Sequence, residues 1–172
     1  MAVGNLELIK SQNITGVSSF EITNVFSADY DVYKIVVTGV EMNSSTNLRI
    51  RLIDNTDTVI STTVYDNAVL QMNSNTAFSE SRSTSQSKIS PFVLTASEDN
   101  NAILYVFNPF SSSSYTFFQS QMTSHNSSSN FIGRKGIYVA KTTSSCTGIN
   151  FLDTGGVTIN NADISIYGLA SN

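Results

Sequence analysis

Apolar and polar residues alternate with a period of two along nearly the whole chain, and no stretch sustains the period of an amphipathic helix. Leu6 to Ser11 and Ser18 to Phe26 read as short strands on either side of a turn at Gly16, with Phe20, Ile22 and Val25 inward. Tyr30 to Glu41 is the strongest segment. It sets Tyr33, Ile35 and Val37 on one face and Val32, Lys34 and Val36 on the other, and Gly39 marks a bulge or strand end. Thr46 to Asp54 turns Leu48, Ile50 and Leu52 inward and Arg49 and Arg51 outward, as an antiparallel strand with one solvated face does. Asp54-Asn55-Thr56-Asp57 then predicts a hairpin into Thr58 to Tyr65. Tyr65 to Met72 fits a helical turn or an irregular crossing, and Asn73 to Ser87, with Phe78 as its one large apolar residue, fits a long surface loop.

Strand patterns resume at Lys88 to Thr95, Ala102 to Phe107, Tyr115 to Ser124, Phe131 to Lys141, Thr147 to Leu152 and Ala162 to Leu169. In the second of these, Ile103, Tyr105 and Phe107 alternate with Leu104 and Val106, so both faces are apolar and the strand is expected to be central. About ten to twelve strands predict an all-β fold, a jelly-roll-like antiparallel β-sandwich in one domain over residues 1–172. A closed barrel is the alternative; no fixed-period repeat points to a solenoid.

Composition sharpens this picture. The 172 residues include 28 Ser, 18 Thr and 18 Asn, so 64 small polar positions form the skin. Leu, Ile, Val and Phe fill 48 positions, enough to build a core, and Ile plus Val outnumber Leu plus Ala by 29 to 18, a bias towards pleated surfaces. Charged residues are 13% and the net charge is −4, with nine Lys and Arg. That argues against a surface tracking nucleic-acid phosphates. The first residues lack a basic segment followed by an apolar one, and no window is long and apolar enough for a membrane helix, so a chain made and kept soluble in a cytoplasm is expected.

Candidate chemistry is sparse. His125 is the one histidine and sits in a polar tract with no acid or nucleophile beside it. Cys146 is the one cysteine, among strand residues, and reads as a small buried thiol rather than a ligand or half of a disulfide. Asp29, Asp31, Asp54, Asp57, Asp66, Glu98 and Asp99 fall at strand ends or turns, where Asp bonds its own backbone, rather than as a pair of facing carboxylates. Asp54-Asn55-Thr56-Asp57 and Asp153-Thr154-Gly155-Gly156 offer oxygen ligands without the spacing of a calcium loop. Glycines are dispersed, so no phosphate loop is present, and the Asn-x-Ser/Thr matches at Asn13, Asn43 and Asn126 are expected by chance in such a composition. No cofactor, metal or reaction is indicated. Aromatics that flank polar loops, Tyr65, Phe110, Tyr115 and Phe117, leave sugar binding open, although the chain has no tryptophan to stack on a ring.

Three segments resemble a family of β-rich virion proteins of tailed bacteriophages. The first is Ala28-Asp29-Tyr30-Asp31-Val32-Tyr33-Lys34-Ile35-Val36-Val37 with Gly39-Val40. The second is Leu104-Tyr105-Val106-Phe107-Asn108-Pro109, leading through serines to Tyr115-Thr116-Phe117-Phe118. The third runs from Thr147-Gly148-Ile149-Asn150-Phe151 through Gly155-Gly156 to Ala162-Asp163-Ile164-Ser165-Ile166-Tyr167-Gly168-Leu169, with Asn160-Asn161-Ala162 where a second glycine is usual. The resemblance implies a non-enzymatic capsid decoration (cement) protein, or a distal module of a tail fibre, commonly a homotrimer.

The leading expectation is therefore a virion protein on the outer capsid surface, partnered by the major capsid protein and other virion proteins, with no nucleic-acid or membrane partner. In that reading residues 1–12 form an N-terminal arm, with Leu6, Leu8 and Ile9 adding a strand to a neighbour, or an edge strand of the chain's own sheet. The alternative is a tail-fibre or receptor-binding module that recognises a host surface glycan. Its candidate loops are Asn108 to Tyr115, including Phe110, and His125 to Asn130, including Asn126.

Overall fold

A computed structural model describes residues 5–96, 100–125, 130–153 and 155–169. Among these residues there are twelve strands: β1 (Leu6–Ile14), β2 (Ser19–Ile22), β3 (Val32–Met42), β4 (Thr46–Asp54), β5 (Tyr65–Asn73), β6 (Ser79–Gln86), β7 (Ile89–Leu94), β8 (Asn100–Phe107), β9 (Thr116–His125), β10 (Phe131–Ala140), β11 (Cys146–Leu152) and β12 (Ile159–Leu169). They form an eight-stranded sheet, β1-β12-β3-β8-β9-β10-β5-β6, facing a four-stranded one, β2-β11-β4-β7. Every pairing between strands is antiparallel. Most connections carry the chain from one sheet to the other, while β8, β9 and β10 run as a meander. The fold is the all-β antiparallel sandwich that the alternation predicts.

The core is the dry layer between the sheets. Tyr33, Ile35, Leu104, Val106, Ile164 and Ile166 point down from the large sheet onto Leu48, Ile50, Leu52, Phe92, Ile149 and Phe151 of the small one, all of them buried. Full burial of each such side chain contributes about 1.5–3 kcal/mol. Phe20 stacks on Phe151 with ring centres 4.9 Å apart, and Phe26 meets Tyr33 edge-on at 4.8 Å. Two glycines let rings lie flat on the sheet: a Cβ on Gly168 would fall 2.6 Å from the Tyr30 ring, and one on Gly136 would fall 2.0 Å from the Tyr138 hydroxyl.

Three local expectations need correction. Tyr65 to Met72 is neither a helical turn nor an irregular crossing; it is strand β5, paired with β10 from Ala140↔Tyr65 to Ile132↔Asn73. Only Tyr65 and Val69 of β5 are buried, because the small sheet does not extend beneath much of it, so the alternation that marks a half-buried strand is weak. Asn73 to Ser87 is not one long loop, since it contains β6, which pairs with β5 at Leu70↔Glu80 and Ala68↔Arg82. Exposed on both faces, β6 is held by its ladder and by Asn67 Nδ2 donating to Ser83 Oγ at 2.6 Å, and such a strand leaves no hydrophobic trace. Thr58 to Tyr65 is not the second arm of a hairpin. After the Asp54 turn only an isolated bridge, Ile53↔Val59, forms before the chain leaves for the large sheet.

Candidate functional site

A sandwich of eight strands over four leaves the outer face of the larger sheet open. Along β9, Thr116, Phe118, Ser120, Met122 and Ser124 are buried while Phe117, Gln119, Gln121 and Thr123 are exposed, and the same alternation runs through β3, β8, β10 and β12. Among the described residues ten large apolar side chains are exposed. Eight of them, Leu6, Leu8, Leu70, Tyr105, Phe117, Phe131, Ile137 and Leu169, take outward positions in strands of this sheet. The other two, Phe78 and Tyr115, stand just before β6 and β9. These apolar side chains thus share one face rather than being spread over the whole surface.

Register arranges the face in rows. Leu6, Leu169, Val32, Phe107, Phe117 and Val139 lie side by side across six strands, an apolar row about 24 Å long. The Asp66–Lys141 ion pair, at 2.9 Å, closes the β5 end of this row. The next row runs Leu8, Tyr167, Lys34, Tyr105, Gln119, Ile137, Ala68 and Arg82; a third carries Gln121, Lys135, Leu70 and Glu80. The second and third rows sink between β8 and β6 into an open trough of about 780 Å³.

Polar groups behave differently in the two halves of the face. At the β1–β12 end they bond one another: Ser11 to Ser165, and Asn13 Nδ2 to both Asn161 and Asp163, each of the latter at 2.9 Å. In the trough the side chains of Gln119, Gln121, Lys135, Glu80 and Arg82 make no hydrogen bond or ion pair among the described residues. Both sheet edges are blunted against strand addition, β1 by a bulge between Leu8 and Lys10 and β6 by its charges.

The residues expected from sequence fall in several places. Leu6 and Leu8 point outward from edge strand β1, which pairs with the chain's own β12, and Ile9 sits at the bulge, partly buried against the core. Asn108 turns the chain after β8 with φ +54°, its N–H on Asp31 O and its carbonyl accepting from Ser111; Phe110 is half-buried and Tyr115 exposed. His125 is not a loop residue. It ends β9, paired with Phe131 and meeting its ring edge-on at 6.0 Å. Tyr115 and His125 therefore stand at opposite ends of β9, about 30 Å apart. Asn126, Glu98 and Asp99 lie outside the described residues. Sequence reading missed the trough, although the outward apolar row of β8 was its one visible trace.

The remaining candidates are tied into local structure. Burial, with the charge of Asp54 behind it, pushes the Cys146 thiol up to about 12. Asp54 accepts from the N–H groups of Thr56 and Thr58 and from the Thr56 hydroxyl, which together hold it below the usual carboxylate range. Burial alone would raise Asp153, but the Thr46 hydroxyl, the N–H groups of Val157 and Gly155, and Arg49 at 3.6 Å outweigh it and hold the carboxyl low. Among the described residues no three His, Cys, Asp or Glu stand where they could hold a metal.

No family model matches the chain, and no curated protein matches it. Among solved structures, an exo-inulinase from Aspergillus awamori aligns at 12% identity and a TM-score of 0.49, over 98% of this chain and 30% of that one. An endo-β-1,4-glucuronan lyase from Trichoderma reesei aligns at 8% identity and a TM-score of 0.31, over 98% of this chain and 87% of that one. Neither likeness bears on what this chain binds or does.

Proposed function

We propose that the protein is a non-enzymatic structural component of a tailed-bacteriophage particle, a decoration protein seated on the outer capsid and bound to the major capsid protein. The family resemblance supplies the setting. The observation that carries the reading is the apolar row of Leu6, Leu169, Val32, Phe107, Phe117 and Val139, flanked by Leu8. The row spans about 24 Å across six strands, and an apolar strip of this kind on a monomer is often functional. The blunted edges favour attachment through this face over strand exchange. A homotrimer belongs to the same proposal and would have a mass of about 56 kDa, three times 18.6 kDa.

Purified particles test it. A decoration protein is present in hundreds of copies, on a scale with the major capsid protein, and Leu8→Asp with Phe117→Asp abolishes attachment while the isolated protein stays folded. Absence from particles, or undiminished attachment of the double variant, overturns the proposal. A count of a few tens or fewer moves the chain to a tail fibre. The open trough favours that second reading, a receptor-binding module.

A further inference from the structure

We infer that the trough across β8, β9, β10, β5 and β6 binds an acidic oligosaccharide. The inference stands on the isolated chain and does not depend on the particle assignment. From Tyr105 on β8 to Arg82 on β6 the trough crosses four strand spacings, about 19 Å, long enough for several linked hexoses. Its walls combine two kinds of group that a sugar needs together. Tyr105 and Ile137, 37% and 60% exposed, offer apolar platforms for the C–H faces of pyranose rings. Gln119 and Gln121 point their amides into the same space with no protein partner among the described residues, so donors and acceptors stand ready for hydroxyl groups.

Charge selects within that class. Lys135 and Arg82 line the trough, and Lys34 stands beside Tyr105 in the adjoining strand, against one carboxylate, Glu80. None of the four is in an ion pair among the described residues. A cationic trough in a chain of net charge −4 is matched by a ligand that carries carboxylates. Three cations are too few to track a nucleic-acid backbone. An extended peptide is also a poor match, because it gains affinity by adding to a sheet edge, whereas the central strands here have spent their backbone groups on the ladder. A second copy of the chain, presenting the same hollow, would leave the trough unfilled.

Calorimetric titration of the purified protein with hexasaccharides of galacturonate, mannuronate and hyaluronan, and with neutral cello- and maltohexaose, tests this. At least one acidic sugar binds, and the neutral sugars bind about tenfold more weakly or not at all. Tyr105→Ala and Lys135→Glu each weaken binding about tenfold with unchanged circular dichroism. Amide shifts on binding cluster at trough positions such as Gly136 and Ser81. Failure of all three acidic sugars, equal binding of neutral ones, or indifference to both substitutions overturns the inference. So does self-association abolished by Ile137→Asp in a protein that binds no sugar, which would put a second copy on this face.

Discussion

Replacing Asp153 by Ala removes the acceptor around which the β11–β12 turn is built. Its side chain is fully buried, accepts from the Val157 N–H at 2.9 Å, from Gly155 N–H and from the Thr46 hydroxyl, and faces Arg49 at 3.6 Å. A hydrogen bond to a charged acceptor contributes about 1.5–3 kcal/mol, and stranding one partner of a buried ion pair costs about 3–5 kcal/mol. The Arg49 side chain keeps 20% of its surface in water, and the turn is free to relax, so the lower end applies. The expected loss is about 3 kcal/mol, which at an m-value of about 2 kcal/mol per molar lowers the urea midpoint by about 1.5 M. Asp153→Asn keeps one acceptor oxygen and loses about half as much. The pH dependence has a fixed sign. The folded carboxyl titrates below its unfolded value of about 3.9, so its contribution is complete above that value and fades as pH falls through the lower folded one. The gap between wild type and Asp153→Ala is therefore flat from about pH 5 to 7 and narrows below about pH 4. A loss under about 1 kcal/mol at pH 7, or a gap undiminished in acid, would refute the assignment of these bonds to an ionised carboxylate.

Three further outcomes follow from the packing. Tyr65→Phe leaves the Leu52 N–H and the Ile60 carbonyl, each 3.0 Å from the hydroxyl, without a buried partner; it lowers stability by about 2 kcal/mol and Tm by about 4–8 °C in a thermal scan. Gly136→Ala displaces Tyr138 from its bond to Ser120 Oγ and costs about 2–3 kcal/mol, whereas Gly16→Ala, which meets no atom within 4 Å, pays only about 1 kcal/mol for its φ of +69°. Urea denaturation separates the two, and equal losses would remove the steric explanation. Cys146, buried and with its thiol pKa raised, resists a thiol reagent at pH 8 in the native protein and reacts at the rate of a free cysteine in urea; rapid native labelling would contradict its burial.

Strands that enclose the core between the two sheets announced themselves. Tyr33, Ile35 and Val37, or Leu48, Ile50 and Leu52, must alternate with outward residues because one face is dry and the other wet, and that requirement is written at the level of single positions. Strands that overhang the small sheet carry no such requirement. Residues of β6 could be Ser, Glu, Arg or Gln because nothing covers either face, and β5 could mix Asp, Asn and Gln with Val and Leu. Their ladder is made by backbone groups, which every residue supplies.

What the sequence determined by itself is the class of fold, the inward rows, the turn chemistry of Asp54 and the inert setting of Cys146. These depend on period and on bonds within a few residues. Tertiary structure alone decided which strands neighbour one another, that the sheets differ twofold in width, and which residues share the outer face of the larger one. The apolar row draws on β1, β12, β3, β8, β9 and β10, and the trough on β8, β9, β10, β5 and β6, residues far apart in the chain that register brings side by side. Long-range pairing is set by the summed burial of the whole core rather than by any local signal. A surface assembled from it exists only once the sheets have closed.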